Sequence, residues 1–176
     1  MFSLETNSAC GAQLVSNTAF DRGQMICQVT DYRLTPRPTY QTVQVSRDLH
    51  LEELGLLAYL NHSCQPNTRF DATTLTLVAL CDIAPGDELT FFYPSTEWQM
   101  ARPFVCLCGA PRCLGAIAGA KYLPIDVLSR YALNRHIHEV ILASLTSGAD
   151  SADRWVPEME PDGALTSADS LLRAAV

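Results

Sequence analysis

The chain has 176 residues, 48% hydrophobic and 18% charged, which is enough to build one cored domain and excludes a disordered chain. No apolar run reaches membrane-spanning length, and the opening MFSLETNSACGAQ lacks the basic and apolar regions of a secretory signal. The expectation is therefore an intracellular protein, nuclear or cytoplasmic, with no membrane partner. A net charge of −7 argues against direct nucleic-acid binding and makes a basic peptide the easier partner.

Along the first 115 residues, short β-like runs alternate with turn chemistry: AQLVS, QMICQV, TYQTVQV, TTLTLVALC and DELTFFY. Pro85-Gly86 marks a turn between the last two and predicts an antiparallel neighbour pair. LEELGLLAYL (51–60) has the spacing of a helix. PIDVLSRYALNRHIHEVILASL (124–145) predicts a longer one, with Pro124 at its first position and Asp126 at its positive end. On that helix His136 and His138 point to different sides and read as surface histidines. Residues 149–176 carry six acids against two arginines, which is −4 of the total charge. They read as an acidic tail with a short helix at SADSLLRAAV.

Seven cysteines, an odd number without a secretory signal, disfavour a disulfide framework and favour metal chemistry. Cys106, Cys108 and Cys113 form C-x-C-x4-C, with Gly109 and Pro111 supplying tight backbone between them. A closed tetrahedral zinc needs a fourth ligand from elsewhere in the fold. The candidates are Cys10, Cys27, Cys64 and Cys81. Cys27 and Cys81 fall in apolar strand-like runs that suit buried, inert thiols, whereas Cys64 lies in a turn beside Asn61 and Pro66.

Three motifs in order, NHSCQPN (61–67), GDELTFFY (86–93) and CLCGAPRC (106–113), closely resemble the SET domain of protein lysine methyltransferases with its post-SET zinc segment. GAQLVSNTAFDRGQ (11–24) resembles that family's opening strand and turn. The resemblance implies a mainly β fold of small curled sheets with a C-terminal pseudoknot, to which the present chain adds a C-terminal α-helix. It divides the chain into a SET domain at 1–115 with its zinc segment at 106–115, a helix packed on that domain at 116–148, and the acidic tail at 149–176.

The implied function is methyl transfer from S-adenosylmethionine (AdoMet) to a lysine amine of a protein or peptide, histones included. By similarity, Gly11, Ala12, Gln13, Asn61, His62, Tyr93 and Leu107 contact AdoMet, and Cys64, Cys106, Cys108 and Cys113 hold Zn2+. Tyr93 matches the catalytic tyrosine. Phe91 falls where the family alternates phenylalanine with tyrosine, a choice tied to the number of methyls added. In-line displacement at a sulfonium needs a neutral amine held behind the methyl, and a phenol can orient that centre without adding charge.

The chain also departs from the family pattern. Gln13 replaces a glycine, Val29 a channel tyrosine, Ala58 an arginine, Phe92 an acid and Leu114 an arginine, and the insert between 31 and 50 is short. The cofactor and zinc features survive better than the lysine channel. A small-molecule substrate, or a non-catalytic module binding AdoMet and zinc, is therefore the alternative reading.

Overall fold

The computed structural model describes residues 1–7 and 11–146. Cys10 and the acidic tail, with its expected helix, lie outside the described residues. Strand β1 (Phe2–Asn7) runs antiparallel to β2 (Gly11–Ser16), with Leu4 opposite Leu14. Strand β3 (Met25–Gln28) follows, then an insert in which β4 (Arg33–Thr35) and β5 (Val43–Gln44) flank the central β6 (His50–Glu52). Of the run TYQTVQV, only the last-named pair of residues before Val45 is strand.

The helix expected over 51–60 forms only as a five-residue 3-10 turn, Gly55–Tyr59. Residues Glu53 and Gly55 adopt φ of 64° and 56°, so the chain leaves right-handed geometry before a helical turn can start. Beyond it lie β7 (Asn61–His62), β8 (Thr68–Asp71) and β9 (Thr76–Ala79). Strand β9 is the centre of a sheet ordered β3–β9–β8, antiparallel on both sides.

The turn at Pro85-Gly86 forms, with the Asp87 amide donating to the Ala84 carbonyl and Gly86 at φ 95°. Its expected consequence does not. Strand β10 (Thr90–Phe91) does not return beside β9 but lies parallel to β7, with Thr90 opposite Asn61 and Phe91 opposite His62. The physical reason is the pairing of the residues around it. The Leu89 amide donates to Leu14 of β2, and Asn67 donates to the Glu88 carbonyl while accepting from the Thr90 amide. This segment is thus gripped from both sides, and Leu89 and Phe91 enter the main core with Leu14, Leu51, Leu60 and Leu77. The architecture is the expected set of small sheets with few helices.

Strands β11 (Phe104–Val105) and β12 (Ala116–Ile117) form a short hairpin around the cysteine-rich loop. The single helix expected over 124–145 is two: α1 (Ile125–Leu128) and α2 (Arg135–Thr146). Pro124 sits just outside α1, with extended backbone, and is not its first helical residue. Asn134 explains the break. Its side chain donates to the Phe70 and Ser95 carbonyls and accepts from the Ala72 amide, contacts that a position inside a continuous helix would forfeit. Nor is His136 a surface residue: it is buried, with Nε2 2.7 Å from the Thr96 carbonyl, while His138 is exposed.

Phe92 and Leu114 find their partners here. Phe92 stacks on Tyr131 at 3.6 Å between ring centroids, and it shares a second core with Leu128 and Ile137, against which Leu114 packs. The helices thus bring Phe92 and Leu114 into one apolar contact. Gly119 closes this junction: at φ 116°, an added Cβ would stand 2.5 Å from the Trp98 carbonyl oxygen. Asn134→Ala orphans buried groups on three segments at once, so it should lower unfolding free energy by about 3 kcal/mol in urea denaturation.

Candidate active site

The parallel pairing of β7 and β10 brings the NHSC and ELTFFY segments together. Asn61 donates through Nδ2 to the Ala12 carbonyl at 3.0 Å and to Glu88 Oε1 at 2.8 Å. Both amide protons are thereby spent, which fixes the side chain and leaves Oδ1 as its remaining acceptor. Gly11, at φ 80°, starts the strand that presents Ala12 and Gln13 to this point. Glu88 lies inside a motif visible in the sequence, but its partner is 27 residues away, so spacing alone gave no reason to single it out.

His62 is buried and enclosed by Phe92, Tyr93 and Phe104, with ring centroids at 5.6, 5.3 and 5.8 Å. Nδ1 accepts from the Tyr93 amide at 3.2 Å, which assigns the proton to Nε2. Nε2 faces Cys64 Sγ at 3.3 Å. Burial pushes the imidazole down to about 3, so it stays neutral through the physiological range. One ring therefore links the backbone of Tyr93 to the cysteine cluster.

Tyr93 donates its hydroxyl to the Leu60 carbonyl at 2.7 Å, so the phenol oxygen is oriented. Phe91 and Phe104 lie 4.8 and 6.0 Å from its ring. Phe104 was not anticipated, although its place two residues before the first zinc-type cysteine is a usable signal. Leu60 had none, because its contribution is a backbone carbonyl.

Beside Phe91 is a cavity of about 10 Å3 lined by Val29, Val43, Leu54, Leu57, Leu60, Phe70, Leu77 and Phe91. With only apolar side chains around it, the cavity offers a water no partners. Val29 is buried there, and Tyr32 is exposed on the surface.

Cys64, Cys106, Cys108 and Cys113 converge, all four sulfurs lying within 4.8 Å of one another. Cys64 and Cys106 are 3.8 Å apart, which equals the edge of a tetrahedron with about 2.3 Å metal–sulfur bonds. The Leu114 amide donates to Cys64 Sγ and the Cys64 amide to Cys108 Sγ, as expected for a polarised thiolate set. Burial opposes ionisation of Cys108, but amide donors from Cys64 and Ala110 bring it down to about 6. The shared hydrogen bond with Cys64, aided by burial, pushes Cys106 well up. Such crowding is relieved by a cation, and four thiolate-type donors at these spacings fit zinc. Leu107, between two of these cysteines, is 71% exposed. Of the other expected buried thiols, Cys27 is half-buried and Cys81 is exposed, since it lies past the end of β9 where the chain turns outward.

Residues 11–94 match the SET domain. Methyltransferase flvH of Aspergillus flavus is 43% identical over 128 residues, which cover 72% of each chain. The histone-lysine N-methyltransferase of Mus musculus, H3 lysine-36 specific, is also 43% identical, but over 63 residues that cover 32% of this chain and 2% of that one. Among solved structures, the methyltransferase domain of human histone-lysine N-methyltransferase SETMAR superposes with a TM-score of 0.52 at 19% identity, covering 67% of this chain and 58% of that one. KRYPTONITE, solved with mCHG DNA and SAH, gives 0.51 at 21%, covering 65% and 29%. The chain belongs to the SET-domain methyltransferase family. No helix among the described residues is long and apolar enough to cross a membrane.

Chelator-stripped protein should take up one zinc per chain, with proton release and a rise in melting temperature. Cys106→Ser should weaken that uptake and most of the thermal gain, measured by atomic absorption and calorimetry.

Proposed function

We propose that this protein transfers a methyl group from AdoMet to a neutral amine nitrogen, and that the amine is the side chain of a protein or peptide lysine. The observation that carries the reading is the Tyr93 hydroxyl, anchored on the Leu60 carbonyl between Phe91 and Phe104. Bound AdoMet supplies an electrophilic methyl on a sulfonium, which departs as a neutral thioether when the amine lone pair takes that carbon.

The chain's own residues do the rest. Asn61, clamped by Glu88 and Ala12, has a fixed carbonyl oxygen suited to the cofactor's ammonium, and Gly11, Ala12 and Gln13 line the same point with backbone. Leu107 and Phe104, on the cysteine-bearing hairpin, supply apolar cover. Cys64, Cys106, Cys108 and Cys113 hold zinc, which fixes that hairpin against His62. The neutral His62 adds no positive charge to repel a sulfonium. Tyr93 accepts from, and so orients, the incoming amine. Phe91 keeps the adjoining space apolar, which favours an uncharged amine, and it brings no hydroxyl there to restrict the number of methyls. Residues 1–115 form the catalytic unit in this reading, and residues 116–146 brace it through Phe92 and Tyr131.

Lysine as substrate is supported by the histone methyltransferases among the relatives, which also favour a nuclear or cytoplasmic protein. A specific observation favours a second reading, a small-molecule amine. Val29 stands where the lysine channel has a tyrosine, and the relative matched over 72% of both chains has a name that specifies no protein substrate.

Labelled AdoMet incubated with histones, cell lysate and a small-amine pool separates the two. Label in a wild-type protein fraction is the expected result. Label confined to the small-molecule fraction selects the second reading, and label in neither sinks both. Tyr93→Phe should lower kcat by about 100-fold while AdoMet binding, followed by calorimetry, stays within about threefold.

A further inference from the structure

Four residues beyond Tyr93 lies a buried carboxyl that the reaction does not use. Glu97 is 8% exposed, and its backbone amide donates to the Tyr93 carbonyl at 2.9 Å. Its Oε1 accepts from the backbone amide of Gln44, in β5 of the insert, at 2.7 Å. Gln44 returns the bond, accepting through Oε1 from the Trp98 amide at 2.8 Å, and its Nε2 donates to the Ser46 and Arg47 carbonyls. The Thr96 hydroxyl also donates to Glu97 Oε1, at 3.2 Å. Next to Gln44 in sequence is Val43, a wall of the apolar cavity shared with Phe91 and Val29.

We infer that Glu97 is a positioning residue: by clasping Gln44 it holds Val43 and the insert β4–β6–β5 against the apolar cavity beside Phe91, and so sets amine affinity. The inference rests on the methyltransferase reading above for its kinetic consequence, but its structural content does not. Two segments 53 residues apart are joined by reciprocal backbone-to-side-chain bonds in a buried place, where an unpaired group is costly. Two-residue β5 has little ladder of its own, with Val43 and Gln44 paired only to Leu51 and His50.

The clasp also responds to pH. The titratable groups around it are His50, from β6 opposite Gln44, and His136 from α2, whose Nε2 meets the Thr96 carbonyl next to Glu97. Burial lowers both histidines, so neither supplies a positive charge near neutrality. Burial raises Glu97 to about 7, against donors from Gln44 and Thr96 that pull it down. A carboxyl with its pKa raised in the clasped state binds its proton better there than when freed to water. The clasp is therefore firmest below pH 4.5, loosens as pH rises towards about 7, and changes no further above that.

The test compares the full chain as wild type, Glu97→Gln and Glu97→Ala, by residue-resolved amide exchange at Gln44 and Trp98 corrected for intrinsic pH effects. Wild-type protection at Gln44 should fall from pH 5 to 7 and then level. Glu97→Gln, which keeps an acceptor and never ionises, should protect at every pH. Glu97→Ala should lose about tenfold or more of the protection. Undiminished protection in Glu97→Ala, or a wild-type pH curve in Glu97→Gln, overturns the inference. If Glu97→Ala does not fold, the pH curve of Glu97→Gln decides alone.

In turnover, Glu97→Ala should raise KM for the amine about tenfold with kcat within about threefold, AdoMet affinity unchanged and rescue by Glu97→Gln. A parallel loss of kcat and AdoMet affinity, or no rescue, marks a merely structural residue and overturns it. A wild type that methylates no amine defeats the functional reading, while the exchange experiment still decides the clasp.

Discussion

Parallel pairing of two dipeptides, Asn61–His62 with Thr90–Phe91, is the constraint on which the rest of this molecule depends. A two-residue parallel ladder is worth little by itself. It persists because Asn67 satisfies the backbone on both sides of Leu89, bonding the Glu88 carbonyl and the Thr90 amide, and because Leu14 of β2 accepts from the Leu89 amide. Once that crossing exists, Asn61 reaches Glu88, His62 reaches the Tyr93 amide, and the Tyr93 hydroxyl reaches Leu60. These three contacts all cross this one junction.

His62 makes the junction continuous with the cysteine cluster. Its two ring nitrogens face a backbone amide and a sulfur, so displacement of the metal-type loop would disturb the segment carrying the tyrosine. Coupling of this kind explains why a four-sulfur cluster, remote in sequence, belongs to the architecture of the site. The C-terminal helices add a second brace. Phe92, next to Tyr93 and beside the His62 ring, is stacked on Tyr131, whose hydroxyl donates to the Cys64 carbonyl. Phe92 and Leu114 therefore tie the site to the segment beyond the hairpin through apolar contact.

Local chemistry in the sequence was a good guide where structure is local. The strand at GAQLVS, the turn at Pro85-Gly86 and the C-x-C-x4-C loop could each be read from neighbouring residues. It failed where a distant partner decided the outcome. The antiparallel pair expected after Gly86 was overridden because Asn67 and Leu14 offered β10 better partners than β9 did. The long helix expected from Ile125 onward was cut because the Asn134 side chain is worth more to Phe70, Ala72 and Ser95 than to a helical turn. His136 is buried for the same reason, since α2 turns that face inward onto Thr96.

The amino-acid sequence by itself determined the mainly β class, the odd and clustered thiols, and the order of three motifs that carry the family likeness. All of these are properties of residue type and short spacing. Tertiary structure alone decided which strand lies beside Asn61 and where a buried carboxyl such as Glu97 finds its donor. Those outcomes depend on contacts across 27 to 53 residues, and a hydrogen bond over such a distance leaves no periodic trace in the chain that forms it.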